Sequence, residues 1–175
     1  MHNSHLFVDE SKASGYVLVA VLVSASQITE VRKVLRSLQL PGQPRIHMKK
    51  ESDSRKLQIL SAIRNLNVEI WIFQSRSQRL SELTLREKCL RELVSKLSNS
   101  KVSRMCLERD ITLERFDRQV IIESMREAEI REVVYWHESS VSEPLLSLPD
   151  AIAWAWAKGG KWATACGDIS LITVA

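Results

Sequence analysis

The sequence has no apolar run long enough to cross a lipid bilayer, which takes about 20 residues. Its longest run, Tyr16 to Ala25, is about half that length and indicates a buried strand instead. The first residues also lack a basic stretch ahead of an apolar one, so we expect no signal peptide. These absences predict a protein that does not cross a membrane and lies in the cytoplasm.

Cysteine is scarce, and Cys89, Cys106 and Cys166 are odd in number and far apart. This spacing argues against a disulfide framework, and no Cys-x-x-Cys pair indicates zinc. There is also no glycine-rich phosphate loop and no Ser-His-Asp order, which leaves non-nuclease phosphotransfer and serine hydrolase chemistry without support. The formal charge of +4 is small, so it permits a polyanionic partner without requiring one.

What remains is typical of one globular domain: 175 residues, of which 45% are hydrophobic and 26% are charged. We therefore expect a single domain over residues 1–175, with its core at about 5–160 and an unassigned tail at 161–175. One last strand within that tail is compatible with its apolar "ISLITV" stretch.

Hydrophobic periodicity predicts two opening strands, followed by helices that alternate with strands. This order predicts an α/β fold: a mixed β-sheet with an antiparallel opening hairpin, parallel later strands and helices on both faces. The predicted strands are 6–8, 16–23, 45–48, 68–73, 101–108 and 131–137. The predicted helices begin after Ser26 and at 49, 80, 112 and 149, with Leu57 and Leu83 among the inward positions.

Acidic residues follow strands or begin helices at places far apart in the chain. Because such positions gather at one edge of a sheet, we expect some of them to meet. Carboxylates are the ligands that Mg²⁺ and Mn²⁺ prefer, and two such ions about 3.5–4 Å apart can hydrolyse a phosphodiester. The candidate ligands are Asp9, Glu10, Glu51, Glu108, Asp110 and Asp150.

Each of these acids also has an ordinary structural explanation. Asp9 suits a turn, Asp110 suits a helix N-cap, and Asp150 suits the first turn of a helix because the helix dipole favours negative charge there. Without a metal, clustered carboxylates repel one another and at least one keeps its proton. The acids are therefore either apart or joined by a cation.

Four motifs occur in a fixed order: Asp9-Glu10-Ser11, His47 with Glu51, the strand that ends in "CLERD", and the helix in "LLSLPDAIAWAWAKGG". This ordered set resembles a bacterial domain-of-unknown-function family with a "DESG" opening, in the ribonuclease H-like superfamily. The resemblance runs from His5 to about Gly160. It implies a ribonuclease H-like fold and a metal-dependent nuclease.

The resemblance also implies roles for single residues. Asp9, Glu108 and Asp150 match the acids of the first strand, the later strand and the last helix, and Glu51 looks like the helix glutamate. Lys12 stands where the family often has glycine, and Pro149 replaces a small residue. Lys12 then either binds a substrate phosphate or reduces the number of metal ions. His47 is a candidate for proton transfer to the leaving oxygen.

The C-terminal motif and the residues that follow it are rich in tryptophan and lysine. Trp154 and Trp156 cannot share one helix face, so one could stack on a base, while the alternative is a tryptophan-rich core or a contact between two copies. Lys158 and Lys161 suit a phosphate backbone. We therefore expect a Mg²⁺- or Mn²⁺-dependent nuclease acting on RNA or DNA. The alternative is a binding or interaction module that has lost its metals.

Overall fold

A computed structural model describes residues 3–175 and shows a mixed sheet flanked by helices. The strands are β1 (Ser4–Ser11), β2 (Tyr16–Ser24), β3 (Glu69–Ser75), β4 (Val102–Glu108), β5 (Val134–Glu138) and β6 (Ser170–Thr173). The helices are α1 (Ile28–Leu38), α2 (Asp53–Arg64), α3 (Glu82–Leu97), α4 (Glu114–Glu127), α5 (Ser147–Lys158) and α6 (Lys161–Thr164).

The sheet has the strand order β5-β4-β1-β2-β3-β6. β2 pairs antiparallel with both β1 and β3, whereas the β1–β4, β4–β5 and β3–β6 pairs are parallel. The predicted fold class is therefore confirmed. β6 lies in the segment that the sequence left unassigned, and it extends the sheet beyond β3.

Residues 45–48 do not form the predicted strand. Met48 begins a short 3₁₀ turn, Met48–Lys50, and the N–H of Lys50 bonds back to the carbonyl of His47. The N–H of Met48 donates to the side chain of Asp150 instead of to a neighbouring strand. The backbone groups of this segment are therefore used locally and by α5.

Each face of the sheet has its own apolar core. Alternation along β1 and β2 sends Phe7 and Val19 to the core under α1, α2 and α5, and sends Val8 and Leu18 to the core under α3 and α4. The expectation that Leu57 and Leu83 point inward is wrong, because both are 45% exposed. Other positions of α2 and α3 cover the sheet in their place.

Gly15 lets the β1–β2 hairpin pass close to β3. Its φ is +73°, and a Cβ atom there would lie 3.0 Å from the carbonyl oxygen of Ser75. We expect Gly15→Ala to cost about 1–3 kcal/mol of unfolding free energy, measured by urea titration. Gly42→Ala is the matched control, since φ is +77° there but nothing lies within 4 Å. Equal costs for the two variants would contradict the role of the close contact.

Candidate active site

Asp9 and Glu10 both lie inside β1, not beyond its end as the sequence predicts. Asp9 is opposite Val19 of β2 and Glu10 is opposite Leu18. Because Val19 and Leu18 belong to different cores, the two acidic side chains point to opposite faces of the sheet. The acidic pair therefore contributes to two separate clusters.

The first cluster joins Asp9 to Glu108 and Asp150. The parallel register pairs Val8 with Leu107, which leaves Asp9 and Glu108 side by side one residue further on. Their carboxyl groups are close enough to share a hydrogen bond. Asp9 keeps a small exposed surface, but protein atoms surround its carboxyl group. This burial, followed by the negative charges of Glu108 and Asp150, raises the pKa of Asp9 well above its usual range.

Backbone and side-chain donors hold the other two carboxylates. Asp150 accepts a hydrogen bond from the N–H of Met48 at 3.2 Å, and Nδ1 of His47 lies 3.9 Å from its Oδ2. Burial raises the pKa of Asp150, although the Met48 bond and the charge of His47 oppose that shift. Glu108 accepts from the hydroxyl of Ser140 at 3.0 Å. Within residues 3–175, no lysine, arginine or histidine nitrogen lies within 4 Å of the carboxylates of Asp9 or Glu108.

The second cluster, on the opposite face, is an ion-pair network around Arg86. Arg86 donates to both oxygens of Asp117, at 2.6 and 2.7 Å, and also to Glu10. The hydroxyl of Tyr16 donates to Glu10 as well. Lys12 lies 3.6 Å from Glu10 and pairs with Glu82 at 3.4 Å. Glu10 and Lys12 are therefore bound to partners of opposite charge, away from Asp9.

Glu51 also lies apart from the carboxylates of the first cluster. It precedes α2, and a 3₁₀ turn separates it from His47, so the two residues do not share a helix. Glu51 accepts hydrogen bonds from the side chains of Gln43 and Arg55. Burial alone would raise its pKa, but these bonds hold it below the usual value. Glu51 thus stabilises the loop that carries His47.

Asp110 fixes the turn between β4 and α4. Its carboxylate accepts from the N–H of Thr112 at 3.0 Å and from the Thr112 hydroxyl at 2.6 Å, and these bonds lower its pKa. α4 begins at Glu114, so Asp110 stabilises the preceding turn and is not the N-cap. His137 lies buried on β5 in contact with Tyr135.

The tryptophans of the C-terminal region pack mainly against other protein groups. Trp154 meets Trp162 edge to face, with the ring centroids 5.1 Å apart, and the ammonium of Lys56 lies 4.3 Å from the Trp154 ring. Trp156 donates to the side chain of Gln74 at 3.4 Å. The alternative of a tryptophan-rich core fits these contacts better than a free stacking platform does. Lys158 and Lys161 are exposed.

The first cluster suits a divalent cation in its donor chemistry. Across residues 3–175, no three or more histidine, cysteine, aspartate or glutamate side chains already form a group that could hold a metal ion. The Asp9–Glu108 pair is nevertheless a half-buried pair of hard oxygen donors that has no cationic side chain within 4 Å in residues 3–175, and Asp150 is near enough to act on Asp9. Mg²⁺ and Mn²⁺ prefer such oxygen ligands.

Comparison with solved structures finds similar folds. A chain in the structure of the complex of PCNA with RNase HII from Archaeoglobus fulgidus matches with a TM-score of 0.54. The match covers 90% of this chain and 73% of that chain, at 19% sequence identity. The fold is ribonuclease H-like. No protein-family model matches the sequence, and no curated protein matches it.

Because neither comparison finds a match, the resemblance to the "DESG" family depends on the four motifs alone. At 19% identity, the likeness to RNase HII shows the fold and not the chemistry. No helix within residues 3–175 is long and apolar enough to span a bilayer.

Sequence reasoning missed Arg86, which binds Glu10, and Asp117, which binds Arg86. A signal for both was present in the helical periodicity. Arg86 precedes Leu90 by four residues, and Asp117 precedes Ile121 by four, so both occupy the apolar faces of their helices. Charged residues at such positions indicate a buried ion pair. Ser140 had no comparable signal, because its contact with Glu108 depends on the loop after β5.

Proposed function

We propose that this chain is a divalent-metal-dependent nuclease that hydrolyses phosphodiester bonds of RNA or DNA. Asp9, Glu108 and Asp150 would hold Mg²⁺ or Mn²⁺ at the carboxyl ends of β1 and β4. The observation that carries the proposal is the half-buried Asp9–Glu108 pair, which in residues 3–175 has no cationic side chain within 4 Å and in which the pKa of Asp9 is raised. A pair of this kind is costly to ionise unless a cation joins it.

The surrounding residues orient these ligands. The Ser140 hydroxyl holds one oxygen of Glu108, and the Met48 N–H holds one oxygen of Asp150. His47, beside Asp150 and one-quarter exposed, would pass a proton to a leaving oxygen. When bound, the metal would activate water and stabilise the developing charge on the phosphodiester.

The alternative is a nucleic-acid-binding or interaction module without metal chemistry. It is favoured by the absence, within residues 3–175, of a ready-made group of three metal ligands. On this alternative, no metal binds beside Asp9 and Glu108, and the chain binds without cutting. The two functions differ in whether Mn²⁺ or Mg²⁺ is needed for any effect on an oligonucleotide.

The deciding experiment follows cleavage of labelled single-stranded, duplex and hybrid oligonucleotides with Mg²⁺, Mn²⁺ or EDTA. Loss of an outer partner of a metal ligand costs about 10–100-fold, so we expect Asp9→Asn and Asp150→Asn to lose more than about 100-fold. Asp53→Asn is the matched control, because the Asp53 side chain is 78% exposed. It is expected to cut at the wild-type rate.

Two results would contradict the nuclease proposal. One is cleavage that survives EDTA, and the other is cleavage that Asp9→Asn and Asp53→Asn retain equally. A folded wild-type protein that binds oligonucleotides but cuts none of them with either metal would favour the binding module.

A further inference from the structure

A cavity of about 520 Å³ opens beside the candidate active site, at the carboxyl ends of β1 and β4. Asp9 and Glu108 form part of its wall, and Val8, Leu18 and Leu107 give it an apolar floor. The loop between β4 and α4 forms the outer side. Because Val8, Leu18 and Leu107 belong to the core under α3 and α4, the cavity opens on that face of the sheet, and Asp9 and Glu108 line it from the sheet edge. It has both polar and apolar surfaces, as ligand pockets of this size usually do.

Two residues of that loop stand out at the cavity. Ile111 is 85% exposed, the most exposed of the large hydrophobic side chains in residues 3–175. The side chain of Arg109 is 45% exposed, and its guanidinium is held 3.5 Å from Glu114 and 3.2 Å from the carbonyl oxygen of His137. Both residues line the cavity, one with an exposed apolar side chain and the other with a guanidinium that two protein groups orient.

We propose that this cavity takes the base of one unpaired nucleotide in the substrate strand. The proposal depends on the proposed function and adds the substrate class, single-stranded or unpaired nucleic acid. Ile111 packs on the face of the base, and Arg109 binds a neighbouring phosphate. A base inside a duplex has its faces stacked and its edge paired, so it enters such a pocket only when it leaves the helix.

Charge makes this binding dependent on a divalent cation. The cavity wall carries four carboxylates and two arginines: Asp9, Glu10, Glu108 and Asp110, with Arg86 and Arg109. Arg86 is already paired with Glu10 and Asp117, and Arg109 with Glu114, so in residues 3–175 Glu108 and Asp110 have no cationic side chain within 4 Å. Their carboxylates repel a phosphate until a cation binds. Calcium takes the same oxygen ligands as magnesium, so it can replace magnesium in a binding measurement.

The test measures binding of a labelled single-stranded oligonucleotide and of its blunt duplex by fluorescence anisotropy in Ca²⁺. Wild type is expected to bind the single strand more tightly. Full burial of an isoleucine side chain is worth about 1.5–3 kcal/mol, so Ile111→Ser should weaken single-strand binding about tenfold. The matched control is Ile122→Ser, since Ile122 on α4 is 45% exposed and does not line the cavity. Both changes are at exposed positions, so both variants should fold.

Three outcomes would contradict the proposal that the cavity takes an unpaired base. They are duplex bound as tightly as single strand, equal effects of Ile111→Ser and Ile122→Ser on binding, and no binding to any oligonucleotide. Failure of the nuclease proposal is recognised separately, as absence of metal-dependent cleavage in Mg²⁺ and Mn²⁺. If wild type cuts the duplex and the single strand equally well, the nuclease stands and the base pocket does not.

Discussion

Replacing Arg86 with methionine is expected to lower the free energy of unfolding by about 3–5 kcal/mol. Arg86 is 5% exposed and Asp117 is 1% exposed, and their two charge-assisted hydrogen bonds join α3 to α4. Arg86 also binds Glu10, so one change leaves two carboxylates without their cation. A buried charge without a partner costs far more than the ion pair itself contributes.

Urea titration of the metal-free protein at neutral pH measures this loss, and Arg91→Met is the matched control. Arg91 pairs with Glu87, Glu123 and Glu127 on the surfaces of the same two helices, but its side chain is one-third exposed. Surface pairs contribute about 0–1 kcal/mol, so this variant should lose little. Adding Asp117→Asn to Arg86→Met should recover part of the loss. Similar losses for Arg86→Met and Arg91→Met would contradict a buried network.

Most of the fold was predictable because its strands and helices have strong patterns. β2 is apolar at nearly every position, as a strand covered on both faces must be, and β1 and β3 pair with it on either side. The failure at residues 45–48 has a physical cause. A short stretch with an apolar pattern cannot reveal that its N–H groups bond to a side chain 102 residues away, as Met48 does to Asp150.

The candidate site was predictable in part. Asp9 and Glu108 lie on neighbouring strands, and Asp150 is near enough to raise the pKa of Asp9, but the three do not form a ready-made metal group within residues 3–175. Glu10 does not lie beside Asp9 as predicted, because β1 continues to Ser11 and strand alternation turns Glu10 toward Arg86. Because the predicted strand ends at Val8, the alternation of Asp9 and Glu10 was not expected. Glu51 does not lie on a helix as predicted, because α2 begins two residues later, at Asp53.

In the metal-free protein, Asp9→Asn is expected to raise the free energy of unfolding at pH 8 by about 0.5–2 kcal/mol, the range typical of single stabilising substitutions. The raised pKa of Asp9 means that the folded state holds a proton that the unfolded state releases. Its contribution is complete below the ordinary aspartate pKa of about 3.9 and is lost as the pH rises through the folded value. Asparagine has no proton to lose.

The measurement is a pair of urea titrations, wild type and Asp9→Asn, at several pH values with EDTA present. The quantity to compare is the difference in unfolding free energy between Asp9→Asn and wild type at each pH. His5 and His137 have lowered pKa values, so they stabilise the fold as pH rises, but they do so in both proteins alike and cancel in the difference. The difference should grow from pH 4 upward, while Asp53→Asn shows no such growth. Mg²⁺ should then stabilise wild type, by about 2.7 kcal/mol at 100 times its dissociation constant, but not Asp9→Asn. A difference that stays constant with pH, or equal stabilisation of both proteins by Mg²⁺, would contradict a cation bound at Asp9.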